Sequence, residues 1–191
     1  IRSYSQIIEV RQSHDFLNRL TALNTKLLSQ NKTDDFIELL LNETSSLLNT
    51  PLQGFLLLNK SLTREGGTLQ DYWVARGVGK YEQFSGEKFE KCLSDKQVLI
   101  VKEAIDTKSN MLHDDCCILF IQSQNCNGIL FLQTEQKLNV SAQLLDTFCS
   151  NIASSLNNSL LVRKISNIAY KDKVTGLHNR AKFIQLLDEY S

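Results

Sequence analysis

Two apolar runs, Cys116–Gln122 (CCILFIQ) and Ile129–Gln133 (ILFLQ), flank the polar stretch S-Q-N-C-N-G. Runs this short and this rich in Ile, Leu and Phe, split by turn-forming residues, read as the two strands of a β-hairpin. Asn127-Gly128 is the pair favoured where a hairpin turn needs positive φ. A third run, Gly54–Lys60 (GFLLLNK), reads as a central strand. Leu69–Arg76 (LQDYWVAR) alternates and carries aromatics, which makes it the hairpin partner of that strand across Glu65-Gly66-Gly67. Val98–Val101 (VLIV) is expected as a further strand, and Glu87–Leu93 (EKFEKCL) as a short helix.

Helical patterns bracket these strands. The spacing of Phe16, Leu20, Leu23 and Leu27 fits the seam of a coiled coil, with Ile1, Tyr4 and Ile8 continuing it in a register shifted by one. That first helix either joins a second chain or packs on its own domain. The run T-D-D-F sets Thr33 as N-cap of a second helix, with acids in the first turn where they complement the helix dipole. Phe36, Leu39, Leu40 and Leu47 mark its apolar face, and Pro51 closes it. From Ser141 a long helix is expected, because no Gly or Pro interrupts the chain before Gly176. Leu145, Phe148, Ile152, Leu156 and Leu160 line one face, followed by Leu161, Ile165 and Ile168.

This order of elements predicts an α+β domain. An antiparallel β-sheet carries the helices on one face, and loops plus a short helix between Gly77 and Asp115 on the other. The expected divisions are an entry helix over 1–30, a core over 31–140, an exit helix over 141–168 and a separate segment over 169–191.

With 42% hydrophobic and 22% charged residues the chain suits a globular core. Its 21 basic and 21 acidic residues cancel, so it lacks the electrostatic footprint expected for nucleic acid or an anionic membrane. No apolar run approaches the roughly 20 residues a membrane span needs. The chain starts at Ile1 and its single methionine is Met111, which suggests a piece of a longer protein. Cys92, Cys116, Cys117, Cys126 and Cys149 follow no metal or disulfide spacing, as expected for reduced thiols in the cytoplasm.

The segment Ala169–Phe183 (AYKDKVTGLHNRAKF) closely resembles the D-x-L-T-G-L-x-N-R opening of GGDEF domains. Asp172, Thr175, Gly176, Leu177, Asn179, Arg180 and Phe183 match, and Val174 replaces a leucine. Read physically, Thr-Gly-Leu is a turn that ends the long helix, Gly176 supplies the conformational freedom, and Asn179 caps the next helix. The resemblance implies a junction and not a catalytic centre, since that family's metal-binding and guanine-contacting residues lie further along. No catalytic residue is therefore carried over. Mg²⁺ and GTP are implied only for the GGDEF domain of the parent protein, and no cofactor for this chain.

The remainder resembles a GAF-like domain of bacterial response regulators, whose ligand is not established. I-R-S-Y-S-Q-I at the start, V-A-R-G-V-G-K-Y (Val74–Tyr81) and L-L-D-T-F-C-S-N-I-A-S-S-L-N-N (Leu144–Asn158) carry that resemblance. It implies a sensory domain between a receiver-like domain and an output domain.

Several clusters are candidate sites. Trp73, Arg76, Tyr81, Phe84 and Phe89 form either a small-molecule pocket of aromatics with one cation, or simply core. Gly77-Val78-Gly79-Lys80 lacks P-loop spacing and reads as a strand-ending turn. His113, Asp115 and Cys117 would share a face if they lay on one strand, but the other Cys and His residues give no ligand spacing, so no metal is assigned. The chain is thus expected to be a regulatory and dimerisation module of a cyclic di-GMP signalling protein, pairing with itself in parallel through its terminal helices. The alternative is a sensor whose pocket holds a small ligand, in a parent that hydrolyses cyclic di-GMP or has a degenerate GGDEF domain.

Overall fold

The computed structural model describes residues 33–59, 72–124, 127–136, 138 and 140–170, with single positions at 18, 21, 22, 26 and 179. The chain order is α1 (Thr33–Leu48), β1 (Gly54–Asn59), β2 (Tyr72–Val78), two 3₁₀ turns (Gly79–Phe84 and Phe89–Lys91), α2 (Asp95–Thr107), β3 (Met111–Leu112), β4 (Cys116–Gln122), β5 (Asn127–Gln133) and α3 (Ala142–Tyr170). The first helix expected over 1–30, the Glu65-Gly66-Gly67 turn and most of the segment over 169–191 lie outside the described residues.

The five strands form one antiparallel sheet in the order β2-β1-β5-β4-β3. β1 is buried along its whole length because neighbours flank it on both sides and layers cover both faces. Its pairing with β2 slips between Leu56 and Leu57, leaving Ala75 as the extra residue of a bulge. Gly54 has no room for a side chain, since an added Cβ would run into the Phe131 carbonyl on β5.

Alternation along the strands sorts side chains to two faces. On one, Leu56, Leu58, Leu119, Ile121, Leu130 and Leu132 meet Phe36, Ile37, Leu40 and Leu41 of α1 and Leu145, Phe148, Ile152 and Leu156 of α3. On the other, Phe55, Leu57, Val74, Ile118, Ile129 and Phe131 meet Tyr81, Phe89 and the inner face of α2. Each fully buried Leu, Ile or Phe contributes about 1.5–3 kcal/mol of transfer free energy. This two-layered cover is the expected α+β architecture.

Three local expectations are corrected. Val98–Val101 is not a strand but part of α2. Ser94 and Gln97 close a capping box there: Gln97 N donates to Ser94 Oγ at 3.4 Å, and Ser94 N donates to Gln97 Oε1 at 3.3 Å. The apolar run then resolves by helical period, with Ile100, Val101, Ala104 and Ile105 buried and Leu99 67% exposed. Asn127-Gly128 is not the hairpin turn either. Both residues belong to β5, pairing with Gln122 and Ile121, so β5 begins at the pair expected to form the turn. Gly128 lies at a close approach between strands, since a Cβ there would sit 3.3 Å from the Leu57 carbonyl oxygen, tighter than an ordinary contact. Thr33 is the first residue of α1 and not its cap.

Helix ends follow local chemistry. α1 stops at Asn49, which takes a left-handed φ of 51° before Pro51. α2 stops at Lys108, also left-handed (φ 52°, ψ 42°). α3 starts after Ser141, whose Oγ accepts from Leu144 N at 3.4 Å, and runs 29 residues to Tyr170.

Candidate functional site

The five aromatic and cationic candidates separate across the sheet. Tyr81 and Phe89 are buried on the α2 face, with Phe84 packed against them. Phe55 and Phe131 stack with centroids 4.8 Å apart, and Tyr81 meets both edge-on at 5.3 and 5.7 Å. The Tyr81 hydroxyl donates to Gln133 Oε1 at 3.1 Å. Burial foremost, then nearby Cys92, pushes its pKa up to about 12. These rings fill the space between the sheet and its cover, as core does.

Arg76 lies on the opposite face, where Nη2 meets Glu38 Oε2 of α1 at 2.9 Å. Its Nε is buried without a hydrogen-bond partner among the described residues. Trp73 is half-buried on β2 opposite Leu58. Asp172, Thr175, Gly176, Leu177 and Arg180 lie outside the described residues, as does the helix expected after Asn179, which is itself a single half-buried position.

His113 is in the turn joining β3 to β4, with its N–H donating to the Cys116 carbonyl at 2.9 Å. Asp115 faces Lys96 at 3.8 Å, while Cys117 is buried beneath the helices. The three therefore do not share one strand face. Among the described residues no group of three or more His, Cys, Asp or Glu stands together to hold a metal ion.

A concavity among the described residues lies elsewhere, where sequence reading gave no signal. β3 pairs with β4 only through Met111 and Leu112, so the outer edge of β4 runs on uncovered by a strand. An open groove of about 760 Å³ follows this edge, between the end of α2 and the first turns of α3. Leu112, Phe120 and Leu145 give it an apolar floor. Lys108, Asn110, Gln122 and Asp146 supply polar groups.

Asn110 crosses the groove. Its Oδ1 accepts from Phe120 N at 2.9 Å and from Cys149 Sγ at 3.5 Å, and its Nδ2 donates to Asp146 Oδ1 at 3.1 Å. The Cys149 thiol is raised to about 12, by burial first and then by the Asp146 charge. It is neutral at physiological pH and so is no nucleophile. The groove has the size and mixed lining of a small-molecule site.

The family whose sequence pattern matches residues 1–165 is described as a domain of unknown function, DUF3369. The chain belongs to that family. No curated protein matches this DUF3369 chain. Among solved structures it is similar to the GAF domain from Acinetobacter phosphoenolpyruvate-protein phosphotransferase, with a TM-score of 0.56 and 11% sequence identity, over 76% of this chain and 95% of that one. At that identity the likeness is one of fold. The DUF3369 domain thus has a GAF-like fold, as the sequence resemblance implied. No helix among its described residues is long and apolar enough to cross a membrane.

Proposed function

We propose that this chain is the regulatory and dimerisation module of a cytoplasmic cyclic di-GMP signalling protein of response-regulator type. The observation that carries the reading is the continuity of α3. It is anchored on the core through Leu145, Phe148, Ile152 and Leu156, and it runs to Tyr170, just before Asp172 of the GGDEF-like opening. Leu161 and Ile165 on its second half are 39% and 64% exposed, apolar positions that suit a parallel partner helix. The role is regulatory and not catalytic. Mg²⁺ and GTP belong to the parent's GGDEF domain, and a shift or twist of α3 sets how two such domains face each other.

Sedimentation of the fragment at micromolar concentration should find a dimer. Insertion of residues into α3 after Leu160 should change the parent's output activity. A monomer, together with an output indifferent to insertion, rejects the reading.

The groove along β4 favours a second reading, a sensor for a small amphipathic ligand in a parent that degrades cyclic di-GMP or has a degenerate GGDEF domain. Native mass spectrometry of the purified chain and a melting screen against nucleotides, haem and metals test it, since a ligand bound to the folded state raises Tm.

A further inference from the structure

The groove holds one side chain whose partners match its chemistry group for group. A primary carboxamide has an oxygen that accepts and an NH₂ that donates. Around Asn110 the backbone N–H of Phe120 and the thiol of Cys149 are donors to the oxygen, and the carboxylate of Asp146 is an acceptor for the NH₂. The three partners come from a sheet edge and from one face of α3, since 146 and 149 are three apart on a helix. Asn110 itself stands on neither element. It follows the left-handed end of α2 at Lys108 and precedes β3. Its backbone is therefore placed by α2 while its side chain joins β4 to α3.

The Phe120 N–H points to the uncovered side of β4, where the two-residue β3 does not reach. An edge-strand N–H of this kind otherwise needs water or another chain. Here Asn110 occupies it.

We propose that the β4 edge, Asp146 and Cys149 form a primary-carboxamide site, and that Asn110 fills it as an internal ligand that latches the first turns of α3 to the sheet. The same site opens onto the groove, so a small molecule bearing a primary carboxamide takes the place of the Asn110 side chain when that side chain is removed. Because α3 leads out of the domain, filling or vacating this site bears directly on how firmly the start of that helix is held.

Amide hydrogen exchange at Phe120 in the purified chain tests this. N110A is expected to speed exchange there by about tenfold, the scale of one lost hydrogen bond. Acetamide should restore protection in N110A, whereas N,N-dimethylacetamide, which has no N–H for Asp146, should not. D146A retains Asn110 and does not touch Phe120, yet it should also speed Phe120 exchange, because the carboxamide loses the group that orients it. Should N110A fail to fold, D146A carries the test alone. Exchange at Phe120 unaltered in D146A, or rescue of N110A by both amides alike, overturns the proposal.

Discussion

The Tyr81 hydroxyl donates a hydrogen bond to Gln133 Oε1 at 3.1 Å, tying the first 3₁₀ turn to the end of β5. The ring below it meets the stacked pair of Phe55 and Phe131 edge-on. Replacing Tyr81 by Phe keeps the ring contacts and removes the bond. Gln133 is only half-buried, so water can satisfy the abandoned amide oxygen. The expected loss is about 1 kcal/mol, read from urea unfolding at neutral pH. The phenol also sets a pH dependence. Its pKa rises from 10.0 to about 12 on folding, because burial disfavours the phenolate. The neutral form is the one the fold prefers, so its contribution is complete below pH 10 and is lost as pH climbs towards 12. Y81F should therefore lose stability less steeply than the parent across that window. Identical slopes would rule out a titrating Tyr81.

The ends of α2 make a pair of opposite predictions. Ser94→Ala removes the N-terminal cap and should cost about 1 kcal/mol. Lys108→Gly places the residue best suited to φ 52° at the C-terminus and should add about 0.5–1 kcal/mol. The two sites share no partner, so the double variant should equal the sum within about 0.5 kcal/mol. A destabilising Lys108→Gly in denaturant titration would show that the Lys108 side chain has a role beyond its backbone angle.

The α2 region also shows where sequence reading succeeds and fails. Gly54–Asn59, Cys116–Gln122 and most of β5 are legible because each is a short apolar run bounded by turn residues, and sheets buried on both faces need such runs. Val98–Val101 is an equally apolar run, but four residues carry no period that separates strand from helix. The deciding signal was the cap at Ser94 and Gln97, four residues upstream at its start. Asn127-Gly128 misled because glycine has two uses, and here close packing between strands prevailed over turn formation. The site was less legible than the fold. Tyr81 and Phe89 have the composition of a pocket and the placement of a core, and only the stacked rings distinguish these. Lys108, Asn110, Phe120 and Asp146 come from separate segments of the chain, so no local pattern joins them.

Thiol reactivity should follow burial. Cys92 is half-buried with its thiol raised to about 11, while Cys116 and Cys117 are buried and raised to about 12, in each case chiefly by desolvation. In a C126S background near pH 8, a thiol reagent should modify Cys92 first. Cys116 and Cys117 should react only as fast as the domain opens. These groups add to the alkaline instability with the same sign as Tyr81. The buried thiol is favoured below the unfolded value of 9.0, and that preference is lost as pH rises towards 11 and then 12. Rapid labelling of Cys117 in the folded chain would contradict its place beneath α1 and α3.

The exit helix separates stability from assembly. Leu145, Phe148, Ile152 and Leu156 spend the inner face of α3 on the core, so Leu161 and Ile165 stabilise little within one chain. Glutamates at both positions (L161E/I165E) should shift unfolding free energy by no more than about 0.5 kcal/mol at each site. If the two side chains lie in a parallel interface, the same pair buries four carboxylates together and should abolish the dimer in sedimentation. By contrast, Phe148→Ala should cost about 3–5 kcal/mol through the cavity it leaves. A double glutamate variant that stays dimeric would place the interface elsewhere, and one that unfolds would show that this half of α3 packs on its own domain.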